Sequence, residues 1–171
     1  MTHDDQRQSL YLLRHAKAEA WSPGCHDFGR TLNERGRAHM ANLSRWMQEE
    51  LPEPGLILCS TSARTRETLD PILQVWPEAE SRTRYLDDIY EATNGQLLAI
   101  ADAAFETADR LLMVGHNPGF EHLAKALLRD QDAASIGKMA TGTLAVIDFE
   151  NGFSSDCGEG VLRHWIRRKD L

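Results

Sequence analysis

Two arginines and two histidines stand where a protein core would not place them. Arg14 and His15 follow the apolar run SLYLL at 9–13, and His116 follows LLMV at 111–114 across Gly115. Arg64 lies one turn beyond Ser60, which closes LILC at 56–59. Gathered in one pocket, these side chains repel each other unless an anion lies between them. A phosphate dianion suits them, because a guanidinium fork pairs with two of its oxygens at once. The arginine charges also push a neighbouring imidazole toward its neutral form. The same set is poor for a metal. Two imidazoles want a carboxylate or thiolate as third ligand, and here the neighbours are cations. A serine hydrolase fails on chemistry as well: Gly115-x-Asn117-x-Gly119 has nucleophile-elbow spacing, but Asn occupies the serine position. The glycines suit a tight turn that leaves helix N-terminal amides for an anion. Taken singly, each residue reads as a surface turn, a structural histidine or a solvated helix face. Their coincidence at strand ends favours a pocket, since ligand crevices of open α/β sheets lie at the carboxyl ends of the strands.

The elements that must position them alternate strand and helix, which predicts an α/β sheet. Strands are expected at 9–13, 56–59, 83–86 and 111–114, with an edge pair at 143–149 and 161–166. Thr31 and Glu34 form a capping-box pattern ahead of an apolar face at Gly36, Met40, Leu43, Met47 and Leu51. Pro52 and Pro54 end that helix. A second helix starts near Ser62, with Pro71 as a potential break. Thr93 and Gln96 form another capping box, and a further helix follows Gly119 through Leu123 and Leu127.

The 171 residues fit one domain with its own core. A net charge of -7 argues against general nucleic-acid binding. No apolar run reaches the roughly 20 residues of a membrane span. The polar, acidic start MTHDDQRQSL is unlike a secretory signal, so the expected location is cytoplasmic. Cys25, Cys59 and Cys157 form no CxxC pair, which argues against a disulfide framework or structural zinc.

The stretches LLRHA (12–16), STSARTRET (60–68) and VGHNPG (114–119) resemble the signatures of the histidine phosphatase superfamily. RHAKA and Arg30-Thr31-Leu32-x-x-x-Gly36 are similar to its SixA-type phosphohistidine phosphatase branch. The resemblance runs from Leu10 to Phe149. It implies a phosphoglycerate mutase-like fold: a three-layer α/β sandwich with a mostly parallel central sheet, one antiparallel edge and helices on both faces. One histidine phosphatase domain would then span 1–171. By the same resemblance His15 is the nucleophile, Arg14 and Arg64 grip the phosphoryl oxygens, and His116 hydrogen-bonds the same group. Glu91 falls at the proton donor's place, with Asp87 and Asp88 as competitors. Arg30 and Asn117 join the phosphate-binding set. Ala16 and Thr65 depart from the glycine and alanine common in relatives, and both are small.

The expected activity is a phosphatase that needs no metal and no cofactor. Short intervals between elements leave little chain for a lid, so the favoured substrate is phosphohistidine on a protein. A small phosphoester is the alternative. A mutase, a non-catalytic phosphate-binding module and an accidental charge cluster rank lower.

Overall fold

The computed structural model describes residues 7–171. The reading of the polar start as no leader rests largely on residues 1–6, which lie outside the described residues. A six-stranded sheet forms the centre. Its strands are β1 (Gln8–Arg14), β2 (Leu56–Ser60), β3 (Thr83–Leu86), β4 (Arg110–Gly115), β5 (Leu144–Phe149) and β6 (Val161–Ile166). The order across the sheet is β3-β2-β4-β1-β5-β6. The pairs β2–β3, β2–β4 and β1–β4 are parallel, whereas β5 runs antiparallel to both β1 and β6.

The helices are α1 (Glu34–Glu50), α2 (Ala63–Val75), α3 (Asn94–Phe105), α4 (Gly119–Leu127) and the short α5 (Asp130–Ser135). Alternation along β1 explains the layering, because successive side chains of a strand point to opposite faces. Tyr11 and Leu13 pack with Met40, Leu43 and Met47 of α1 and Leu69 and Ile72 of α2. Leu10 and Leu12 pack with Leu97 and Ala101 of α3 and Phe120 and Leu123 of α4. Both faces of the sheet are therefore covered, which is why the inner strands carry apolar runs through their middles. Among the described residues, no helix is long and apolar enough to cross a membrane.

Two local expectations change, and one segment is new. Asn33, not Thr31, caps α1, and its side chain accepts from Gly36 N at 2.9 Å. Thr31 is held extended, its carbonyl accepting from Glu19 N, and Glu67 accepts the amide of Leu32 at 2.7 Å. Pro71 lies inside α2 without ending it. Burial of Leu69 and Ile72 on either side outweighs the one backbone bond that a proline forfeits. Finally, α5 and the connection after it were not foreseen, and that connection carries buried Met139 toward the active site. The Thr93–Gln96 capping box forms as read, with both reciprocal bonds present.

Candidate active site

The parallel register of β1 with β4 sets Arg14 opposite Gly115. His15 N donates to Gly115 O at 2.9 Å, so the residues leaving the two strands are His15 and His116. Their ring centroids lie 5.3 Å apart. β2 adjoins β4, and Ser60 Oγ is 2.8 Å from His116 Nε2. The Ser62 side chain caps α2 by accepting from Thr65 N, which sets Arg64 in the first helical turn. Arg64 Nε donates to His15 Nε2 at 3.3 Å, and Arg14 Nη1 donates to Met139 O at 2.7 Å. The four residues singled out by type are thus brought together at the carboxyl edge. His15, Arg64 and His116 are all buried, with 8%, 5% and 7% of their surface exposed.

Hydrogen bonding fixes the state of His15. Its Nδ1 lies 2.8 Å from the Ala16 carbonyl, which can only accept. In the neutral ring Nδ1 therefore holds the proton and Nε2 the lone pair. Burial pushes the His15 pKa down to about 4, reinforced by Arg64, Arg14 and Arg30 and opposed by the Ala16 carbonyl. Burial likewise pushes His116 down to about 3, with His15 and Arg64 adding to it. Desolvation leads in both rings, whereas the sequence reading gave the arginine charges as the cause. Arg14 Nε and His116 Nδ1 are buried with no protein partner among the described residues. Unpartnered buried polar atoms of this kind mark a place for a polar guest.

Sequence reasoning missed Asp27. It sits in a single 3-10 turn, Asp27–Gly29. Its Oδ2 accepts from Arg64 Nη2 at 3.0 Å and from the Tyr90 hydroxyl at 2.7 Å. Its Oδ1 accepts from Arg30 Nε at 3.0 Å and Nη2 at 2.7 Å. Its backbone carbonyl accepts from Arg64 Nη1 at 2.6 Å. The Tyr90 hydroxyl, then Arg30 and Arg64, hold this carboxyl well below the usual carboxylate range. Tyr90 also meets His116 edge-on, with centroids 5.2 Å apart. One carboxylate thus offsets the repulsion between the arginines. Its only trace in the sequence is an acid three residues before Arg30.

The remaining candidates divide. Arg30 reaches the site through Asp27. Glu91 is exposed, has a positive φ of 55°, and lines a cavity of about 380 Å³ together with His116. Its competitor Asp87 accepts from the Thr61 hydroxyl at 2.5 Å. Asn117, expected in the phosphate-binding set, bonds to the scaffold: its amide donates to Met139 O at 2.9 Å and to Glu121, and its oxygen accepts from Glu121 N. With both ends spent, the side chain braces α4 and the Met139 carbonyl that holds Arg14. Ala16 and Thr65 are both buried; Ala16 N donates to Thr68 Oγ1 and the Thr65 hydroxyl to Ser60 O. Gly119 allows the close approach of α4, since a Cβ there would stand 2.4 Å from Ala92 O.

A layered α/β sheet that delivers neutral imidazoles and guanidiniums to its carboxyl edge is built for phosphoryl chemistry. Residues 10–109 match the histidine phosphatase superfamily (branch 1), and the chain belongs to that superfamily. It is a phosphatase, and its structural likeness is to SixA-type members. It superposes on a candidate phosphohistidine phosphatase SixA from Agrobacterium tumefaciens with TM-score 0.81 and 31% identity, over 94% of this chain and 97% of that one. For a candidate SixA from Nakamurella multipartitia the TM-score is 0.81 and the identity 25%, over 94% and 96% of the two chains. An uncharacterized protein of Mycobacterium tuberculosis is 31% identical over 115 residues, 67% of this chain and 69% of its own length.

Proposed function

We propose that this protein removes phosphoryl groups from phosphohistidine on proteins, through a phosphohistidine intermediate on its own His15. One observation carries the reading. His15 Nδ1 is pinned to the Ala16 carbonyl, which leaves the Nε2 lone pair facing the guanidinium of Arg64. A neutral nucleophile is thereby held against an anion-binding group without any proton having to leave it first.

In the first step the Nε2 lone pair attacks phosphorus, and the bond from phosphorus to the leaving group breaks with its electron pair. Arg14 and Arg64 take up the charge spreading over the phosphoryl oxygens. The bound anion favours protonation of His116, whose Nδ1 then donates to the same group while Ser60 holds Nε2. In the second step water attacks phosphorus, the bond to Nε2 breaks, and phosphate departs. The cationic side chains stabilise charge throughout, so the reaction needs no metal.

The leaving group decides what Glu91 does. An alkoxide leaves poorly without a proton, and Glu91 lines the cavity that His116 also lines. An imidazole leaves far more readily. The names borne by the SixA-like neighbours support a protein phosphohistidine as substrate, as does the small amount of chain available to cover the pocket.

The test is turnover of a phosphohistidine protein carrying radiolabelled phosphate, with chelator present, by wild type and His15→Ala. Wild type is expected to acquire an acid-labile, alkali-stable label and to release phosphate. His15→Ala is expected to do neither while keeping its circular dichroism spectrum. Label on the variant, or activity abolished by the chelator, defeats the mechanism. Higher kcat/KM on small phosphoesters than on the protein substrate defeats the substrate assignment.

A further inference from the structure

A second cavity, of about 350 Å³, is lined by five Lys and Arg side chains among eight residues. Lys17, Arg35, Arg167, Arg168 and Lys169 line it, together with His39, Ala140 and Thr141. No carboxylate lines it, although the chain carries 26 acidic residues against 19 Lys and Arg. Arg167 is tied to Asp170. Lys17, Arg35, Arg168 and Lys169 are exposed, and none makes a side-chain ion pair among the described residues. The basic run at 167–169, exposed at Arg168 and Lys169, forms one wall, in part through the 3-10 turn Arg168–Asp170. Arg35 and His39 come from the first turns of α1. His39 is buried, and its Nε2 has no partner among the described residues.

The cavity is joined to the catalytic site by the backbone. Lys17 stands two residues beyond His15. Ala140 and Thr141 follow Met139, whose carbonyl holds Arg14. Next to them, Gly142 N donates to the carbonyls of Arg14 and His15, at 3.1 and 2.9 Å. Asp170 offsets only part of this cluster; the like charges that remain destabilise the free protein, and an anionic partner reverses that cost. A basic cleft also raises the encounter rate with an acidic partner.

We infer that this cavity docks an acidic segment flanking the phosphohistidine of the protein substrate, with Lys17, Arg35, Arg168 and Lys169 reading its carboxylates. The inference rests on a protein being the substrate. It makes the cavity a determinant of partner choice, separate from the groups that handle phosphorus.

The experiment compares two phosphohistidine peptides, one flanked by four glutamates and one by four glutamines. At low ionic strength the glutamate peptide is expected to show roughly tenfold higher kcat/KM, through a lower KM, and to lose that lead as salt screens the charges. Arg35→Glu/Lys169→Glu is expected to abolish the lead and to leave kcat/KM for p-nitrophenyl phosphate unchanged. Calorimetric binding of the unphosphorylated peptides provides a readout that does not depend on turnover. Equal binding of the two peptides to wild type overturns the inference, and so does a preference that survives in the double variant. Preferential binding of the glutamate peptide with no turnover of either phosphopeptide upholds the acidic dock and refutes the phosphohistidine reading.

Discussion

Acidification tests the buried rings directly. The His15 and His116 pKa values fall from 6.5 to about 4 and about 3 on folding, chiefly because burial disfavours the charged ring. An unfolded chain binds these protons from about pH 6.5 downward, while the folded chain refuses them until near pH 4. Stability is therefore unaffected well above pH 6.5 and is lost as the pH falls from 6.5 to about 4 for His15 and to about 3 for His116. Each unit of separation is worth about 1.4 kcal/mol. At pH 5, about 1.5 units below the unfolded value, each ring costs the folded state about 2 kcal/mol relative to pH 7. The assay is urea unfolding of wild type, His15→Ala and His116→Ala at pH 7, 6 and 5. Each variant carries its own cost of substitution at every pH, so the quantity to compare is the change between pH 7 and pH 5. That change is expected to be smaller by about 2 kcal/mol in each variant than in wild type. Parallel pH dependences in all three proteins would show that the rings titrate normally, and the argument for a neutral His15 would collapse.

Other outcomes follow from particular contacts. Glu91→Gln is expected to lower turnover of small phosphoesters by roughly 100-fold and that of phosphohistidine protein by less than about threefold; equal losses contradict the leaving-group argument. Asp27→Asn removes the negative charge that competes for Arg64 and Arg30. Inorganic phosphate is then expected to inhibit at about tenfold lower concentration, since one charge-assisted hydrogen bond is worth about 1.5–3 kcal/mol; an unchanged inhibition constant refutes the competition. Gly36→Ala places a Cβ 2.2 Å from the Lys17 carbonyl, which also accepts from Asn33 N. Denaturant unfolding is expected to show a loss of about 1–3 kcal/mol.

Three of the four pocket residues were legible in the sequence because each breaks an apolar run where a strand must end. Arg14, His15 and His116 meet because β1 and β4 are neighbours in the sheet. Ser62 announced the helix that positions Arg64. Depth was not legible: composition gives no measure of how far a ring lies from water, so burial was missed as the main reason both imidazoles stay neutral. Asp27 was hidden for another cause. Its partners Arg64 and Tyr90 are 37 and 63 residues away, and its own segment follows no helical or strand period. Thr31 misled as a cap because the competing acceptor for the Leu32 amide, Glu67, comes from another helix. Asn117 sits in the signature turn, but only the path of Met139 reveals that its amide is spent on the scaffold.

The strand that leads into His15 lies inside the sheet, hydrogen-bonded along one side to β4 and along the other to β5. Its amides can meet solvent only when the sheet itself comes apart, so hydrogen exchange along 10–15 reports global opening. The 3-10 turn bearing Asp27 lies outside the sheet and is tied to the rest of the fold chiefly through the side chains of Arg64 and Tyr90, so a local opening there breaks fewer bonds. Wear on this enzyme will thus be of two kinds: a reversible drift of the rim that alters affinity, and a collective melting in which turnover and dichroism vanish at one midpoint.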